Sequence, residues 1–406
     1  MPEHTSHTEL RAGTSALLAL FALGMALASS GCHETTSTSA GVRERWYQRQ
    51  RGFGYTRPAI SGTHVFFGTG DGEVIAREQQ TGTAVWATKI ANESIGGANM
   101  VVRGAVLVVP VVHETVALDA ITGQEKWRYS APLDTIAGRG GISEPGLVFR
   151  THIDADDQTV YIPAWGASIS AVDVGTGAVR WIWQSNATAS DMAAGGTFRS
   201  GSGGVRVSGD TVYATVWHSL DASGLAAESW LVALDRNTGR ELWRTVMAPA
   251  GSSALVLGAP VVAGDLVIFQ VTGGREYAIN RLTTQLAWEY TPHTTNATDA
   301  ETELYDGIVY HDGGDQYIYA LHAVDGSVVW RAPFSSMTSD DMLVTSRRVI
   351  FSDGGTLYVL DRATGRQLVR VEQPRTSDSF FASPPAYANG QVFVTVGDGA
   401  WSFDEP

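Results

Sequence analysis

Residues 117–127 read Ala117-Leu118-Asp119-Ala120-Ile121-Thr122-Gly123-Gln124-Glu125-Lys126-Trp127. The Thr-Gly pair supplies a turn with a residue free to take positive φ. The Asp ahead of it can accept hydrogen bonds from the amides of that turn. The Trp opens the next strand and offers a large flat surface to a neighbour. The same ruler recurs six times. Ala76 leads through Thr81-Gly82 to Trp86, Ala171 and Asp173 through Thr176-Gly177 to Trp181, and Ala233 and Asp235 through Thr238-Gly239 to Trp243. Ala278 leads through Thr283-Thr284 to Trp288, Ala320 through Asp325-Gly326 to Trp330, and Val359 and Asp361 through Thr364-Gly365 to Val369.

Each copy follows a β-branched or aromatic run, such as Val65-Phe66-Phe67, Val160-Tyr161-Ile162 or Val267-Ile268-Phe269, and an eighth run, Val392-Phe393-Val394, stands near the end. Strands of this kind between Gly-containing turns predict an all-β fold. One unit cannot bury its own face, so the units must stack. Eight units over residues 43–406 average about 45 residues, the length of a four-stranded propeller blade. The last unit stops short at Pro406, whereas residues 43–48, carrying Trp46, precede the first. The expectation is an eight-bladed β-propeller whose N-terminal strand completes the last blade. Trp46, Trp86, Trp127, Trp181, Trp243, Trp288 and Trp330 are its predicted docking residues.

The Ala-x-Asp-x-x-Thr-Gly-x-x-x-Trp pattern resembles the docking motif of pyrroloquinoline-quinone-type propeller repeats, over nearly the whole chain after residue 42. Two groups share that resemblance: quinoprotein dehydrogenases, and BamB-like lipoproteins of the outer-membrane barrel-assembly machinery.

The chain has 406 residues and a formal charge of −14, the opposite of the basic footprint that nucleic acid requires. An apolar share of 44% supports a large core. Ala16 to Ala28 form an uncharged apolar run, too short to span a bilayer but suited to a signal-peptide core. Cys32, the chain's one cysteine, follows small residues and resembles a bacterial lipobox. Three segments are therefore expected: a signal peptide (1–31), a lipidated Cys32 with a flexible tether (32–42), and the propeller (43–406). By resemblance, His33 in place of Asp after the Cys favours the outer membrane, with the ring facing the periplasm.

The resemblance to the dehydrogenases implies a quinone on the ring axis, a calcium ion, a vicinal disulfide and a catalytic Asp. One cysteine allows no disulfide, and no His-x-x-x-His spacing occurs, so no catalytic residue, metal ligand set or cofactor is assigned. Pyrroloquinoline quinone and calcium belong to the alternative reading alone. Asp154, Asp156 and Asp157, like the Asp-Gly pairs at Asp71, Asp312, Asp353 and Asp398, read as hairpin turns.

Insertions are expected at 131–146, 185–204 and 218–228. With strands A to D running from axis to rim, these are D–A, D–A and B–C loops, and all open on one face around blades 3 and 4. Trp165 and Trp217 stand there where the other blades carry small or β-branched residues. They read as aromatic anchors for a partner, with Arg139, Arg150 and Arg199 on the same rim. The expected function is a non-catalytic, monomeric, lipid-anchored scaffold that binds a periplasmic or outer-membrane protein, the barrel-assembly machinery by resemblance. The alternatives are a quinoprotein oxidoreductase and a surface or polysaccharide-binding propeller.

Overall fold

In every complete motif the Asp organises the turn between strands C and D. Asp119 Oδ1 accepts from the amides of Ile121 and Thr122 and from the Thr122 hydroxyl, at 3.0, 2.9 and 3.1 Å. Asp173 and Asp235 repeat the arrangement with Thr176 and Thr238. The Arg180 hydrogen bond comes first in holding Asp173 down to about 2, followed by those from Thr176. The glycine that follows takes φ +73° at Gly123, and a Cβ there would lie 2.6 Å from the Trp86 ring of the preceding blade. Turn geometry and close approach therefore both demand glycine.

In the computed structural model, which describes residues 41–49, 54, 56–95, 99–111, 114–131, 151–164, 167–185, 200–219, 227–252, 256, 258–293, 301–335, 341–372, 381 and 383–406, the ring unit is all strand. Eight antiparallel sheets of four strands follow one another. Blade 1 spans residues 59–89, blade 2 101–129, blade 3 154–184 and blade 4 200–252. Blade 5 spans 261–290, blade 6 303–333 and blade 7 343–372. Blade 8 joins Ala386–Ala388, Gln391–Val396 and Gly399–Asp404 to the N-terminal strand Glu44–Arg49, which pairs with Gly399–Asp404. The two ends of the ring thus share one sheet and leave no seam.

The motif alanine lies directly opposite the tryptophan: Ala76 pairs with Trp86, Ala117 with Trp127, Ala171 with Trp181 and Ala320 with Trp330. A bulge follows each alanine. The indole then reaches the next blade and donates its N–H to the carbonyl after that blade's motif Asp position. Trp86 donates to Ala120, Trp127 to Val174, Trp181 to Arg236, Trp288 to Ala323 and Trp330 to Arg362, at 2.8–3.2 Å. Trp46 does the same to Gln79 at 2.7 Å, across the closure, with Ser402 in place of the alanine. Trp243 packs on Tyr213. Where blade 7 has Val369 instead of Trp, its methyls face Gly41. The N-terminal segment therefore brings its own glycine to the last junction. The strand B runs are fully buried, Val65, Phe66 and Phe67 among them, and form the core between blades.

Blade 4 departs from the rest. Its strands are Ser200–Ser208, Thr211–Ser219, Ala227–Asp235 and Glu241–Ser252, against three to six residues for most others. The expected loops at 185–204 and 218–228 are therefore partly strand: Ser200 pairs with His218, and Ser219 with Ala227. Ala227 in turn pairs with Ser252. The sheet overhangs the ring by about three residues, roughly 10 Å.

Candidate functional site

The inner strands of neighbouring blades touch around the ring, so side chains two residues before each strand A form one layer about the axis. In blade order that layer reads Arg57, Asn99, His152, Gly204, Ala259, Glu301, Asp341 and Pro384, with Gly204 at the matching level inside the longer first strand of blade 4. Backbone bridges join Arg57 to Asn99 and His152 to Gly204. Gly204 is small of necessity, since a Cβ there would fall 2.7 Å from that of Ala259.

Charges from opposite sides of the ring meet in this layer. His152 on blade 3 places Nδ1 3.1 Å from Glu301 Oε2 on blade 6 and Nε2 3.6 Å from Asp341 Oδ2 on blade 7. Blades 3 and 7 are diametrically opposed in a ring of eight, so the contact lies on the axis. Arg57 on blade 1 donates to Glu303 on blade 6 at 2.8 Å and to the Met342 carbonyl on blade 7 at 2.9 Å. The Glu301 amide donates to Asp341 Oδ1 at 2.7 Å. Arg206 lies 3.7 Å from Glu301 and 3.9 Å from Asp154, and Arg103 lies 4.0 Å from Asp154. The His152, Glu301 and Asp341 side chains are only 7, 5 and 10% exposed.

Burial dominates the electrostatics, and the partners decide its outcome. Burial works against the charged imidazole of His152, but Glu301 and Asp341 outweigh it and hold its pKa above the ordinary value. Burial opposes ionisation of Glu301, which His152, Arg206 and Arg57 overcome, so Glu301 is pulled down. Asp341 and Glu303 are pushed up, by burial first and also by Glu301 beside them. Three carboxylates thus crowd a dry layer, and one is plainly anionic.

A second buried group lies between blades 5 and 6. Glu276 and His311 are fully buried, 3.6 Å apart. Burial raises Glu276 to about 8 and lowers His311 to about 3. At neutral pH both are uncharged, so this is no ion pair. Thr302, between Glu301 and Glu303 in sequence, donates to Glu276 at 2.9 Å. Glu276 Oε2, Gln270 Oε1 and His311 Nε2 have no hydrogen-bond partner among the described residues.

The residues singled out in the sequence fare unequally. Trp217 lies in the second strand of blade 4 and is 8% exposed, so it is not an exposed anchor. Its neighbours across the sheet are Gly201 and Ser229. Cys32, Trp165, Arg139, Arg150 and Arg199 lie outside the described residues, as do most of 131–146 and the tip of the 218–228 insertion. Asp156 does make the expected turn, accepting from the amides of Gln158 and Thr159 and from the Tyr161 hydroxyl. Asp154 does not. It belongs to strand A and accepts from the Val207 amide of blade 4 at 2.8 Å, because the inner strands sit side by side.

Sequence reading found no acid–base group on the axis, and the structure assembles one. Its members come from six blades with no mutual spacing. A signal did exist: Arg57, His152, Glu301 and Asp341 each stand two residues before an inner strand. The rim between blades 3 and 4 was missed too. There Arg244 lies 5.9 and 6.0 Å from the Trp183 and Trp230 rings and pairs with Glu241, which accepts from Trp183.

The comparisons with known proteins cover the same ring. The family described as outer membrane protein assembly factor BamB matches residues 38–219, 166–345 and 314–405. The outer membrane protein assembly factor BamB of Burkholderia pseudomallei is 24% identical over 354 residues, covering 84% of this chain and 82% of the relative. That of Kangiella koreensis is 26% identical over 150 residues, 34% of this chain and 37% of the relative. Among solved structures, BamB from Moraxella catarrhalis superposes with a TM-score of 0.58 at 19% identity, over 77% of this chain and 88% of that one. The quinohemoprotein alcohol dehydrogenase of Comamonas testosteroni reaches 0.67 at 13% identity, over 90% of this chain and 76% of that one. At such identities the structural likenesses establish the shared propeller and nothing finer. The family match, running through all eight blades from residue 38 to residue 405, places this chain in the outer membrane protein assembly factor BamB family.

Proposed function

We propose that the protein is a non-catalytic scaffold, lipid-anchored through Cys32 to the outer membrane and facing the periplasm, that holds a protein partner during outer-membrane protein assembly. Family membership supports the setting. The observation that carries the partner-binding role is the overhang of blade 4, where four paired strands rise together from one face of a rigid ring. Long elements on one face of a fixed scaffold are where binding concentrates. Backbone pairing also makes this overhang stiffer than a loop, so a partner docks with less ordering cost.

The test is capture from gently solubilised outer membrane. The parent should retain the barrel-assembly core. A variant with residues 218–228 replaced by Asn-Gly should keep the ring's melting temperature and weaken that association by at least about 2 kcal/mol, the scale of a hot spot. A folded variant that captures the partner as well as the parent would overturn the assignment of the surface. A parent that captures none of the core would overturn the assembly role and favour a surface or polysaccharide-binding propeller.

The pairing of the described axial arginines supports a reading without pyrroloquinoline quinone. That cofactor is a tricarboxylate and requires uncommitted cations. Arg57, Arg206 and Arg103 are engaged with Glu303, Glu301 and Asp154. Alcohols or sugars supplied with the quinone and calcium should give no dye reduction, and steady turnover would reinstate the dehydrogenase reading.

A further inference from the structure

We propose that the axial layer binds one divalent transition-metal ion, held by the imidazole of His152 and the carboxylates of Glu301 and Asp341. The site is separate from the partner surface and does not depend on the scaffold reading.

Three observations converge on it. One donor atom from each of the three residues lies within 4.8 Å of the others. Bonds of about 2.0–2.2 Å from nitrogen and oxygen to a metal place its donors roughly 3–4 Å apart. His152 Nδ1 and Glu301 Oε2, at 3.1 Å, already stand so, whereas Asp341 Oδ2 lies 3.6 Å from the other ring nitrogen, so metal binding requires the Asp341 carboxylate or the imidazole to turn. Secondly, the trio is buried, whereas acidic clusters without a ligand are ordinarily solvated. Thirdly, the donors stand on blades 3, 6 and 7 of a closed ring, so their positions are set by the scaffold and not by a mobile loop.

One imidazole and two carboxylates make a mixed nitrogen and oxygen set. It suits zinc, cobalt or manganese better than calcium, which takes six to eight oxygens. An ion here ties opposed blades across the axis, and its binding energy adds to the stability of the ring.

The experiment titrates Co2+ into the chelator-treated, metal-free full chain, followed by calorimetry and by visible absorption. The expected result is one saturable site per chain. Zn2+ should compete for it and should raise the melting temperature by several degrees. His152→Gln and Glu301→Gln should each lower affinity by about 100-fold or more and abolish the thermal shift. X-ray absorption of the loaded parent should show a nitrogen and oxygen shell with one imidazole, a readout that needs no variant to fold. No stoichiometric binding by the parent, equal binding by folded His152→Gln, or a shell with two or more imidazoles would each overturn the proposal. The first of these outcomes would leave His152 as an ion-paired imidazole between two acids.

Discussion

Replacing Trp46 by alanine tests whether the N-terminal strand closes the ring. Trp46 is 6% exposed, donates its indole N–H to Gln79 at 2.7 Å, and lies 6.2 and 6.0 Å from the rings of Phe67 and Phe393. It therefore contacts blades 1 and 8 at once. Removing a buried Trp of this kind costs about 4 kcal/mol, including the cavity left behind, with about 1 kcal/mol more for the stranded Gln79 carbonyl. Unfolding entropy of about 2.1 cal/mol/K per residue converts this to a fall in melting temperature of roughly 6 °C for a ring of this size. Ile121→Ala is the control: its side chain is 65% exposed on a turn, and the change should stay within about 0.5 kcal/mol. Differential scanning calorimetry gives the melting temperatures. Hydrogen exchange gives the location, because the amides of Glu44–Arg49 should lose protection before those of the other blades. A Trp46→Ala protein that melts within about 1 °C of the parent, with protection of that strand unchanged, would refute closure by this residue.

The buried Glu276 and His311 predict a stability plateau. Glu276 keeps its proton up to about 8 in the folded ring but releases it near 4.5 when unfolded, so stability falls as pH rises between those values. His311 stays neutral down to about 3 when folded but takes a proton near 6.5 when unfolded, so stability falls as pH drops below 6.5. The slopes oppose between 4.5 and 6.5, and urea midpoints should decline on either side. Glu276→Gln should remove the alkaline limb, worth about 2 kcal/mol between pH 6.5 and 8; a limb that persists in this variant would assign it to other groups. Gly123→Ala should destabilise by at least about 2 kcal/mol, since the new Cβ meets positive φ and the Trp86 ring together. A urea midpoint equal to the parent's would show that the junction yields. Mass spectrometry of the membrane-extracted protein should find an acylated Cys32 at the mature N-terminus, and Cys32→Ala should release the ring from the membrane. An unlipidated start elsewhere would remove the anchor.

Much of the ring was legible in one motif because its chemistry is local. An Asp that bonds the next turn, a Gly at positive φ and a Trp ten residues past an Ala all act within one hairpin and its neighbour. The repeat therefore fixes blade number, strand order and even the swapped N-terminal strand. Its Trp165 and Trp217 signal was weaker, since an unusual residue in a strand says nothing about which way it lies. Trp217 is buried within the second strand of blade 4, opposite Gly201 and Ser229, and only the structure of that blade reveals it. The overhang itself was readable as extra length but not as strand, because pairing between Ser200–Ser208 and Thr211–Ser219 is a matter of partners and not of composition.

The axial group shared a position before the inner strands, but nothing in the sequence showed which of its members would meet. Arg57, His152, Glu301 and Asp341 are separated by 40 to 149 positions. In the linear chain each is a lone polar residue before a short strand. Closing eight blades into a circle brings residues from opposed blades within hydrogen-bond distance at the centre, where loss of water lets a few charges shift one another's protonation. The sequence by itself determined the repeating unit, because turn and docking chemistry are properties of neighbouring residues. The chemistry of the axis was decided only by the tertiary structure, because it depends on ring closure and on burial.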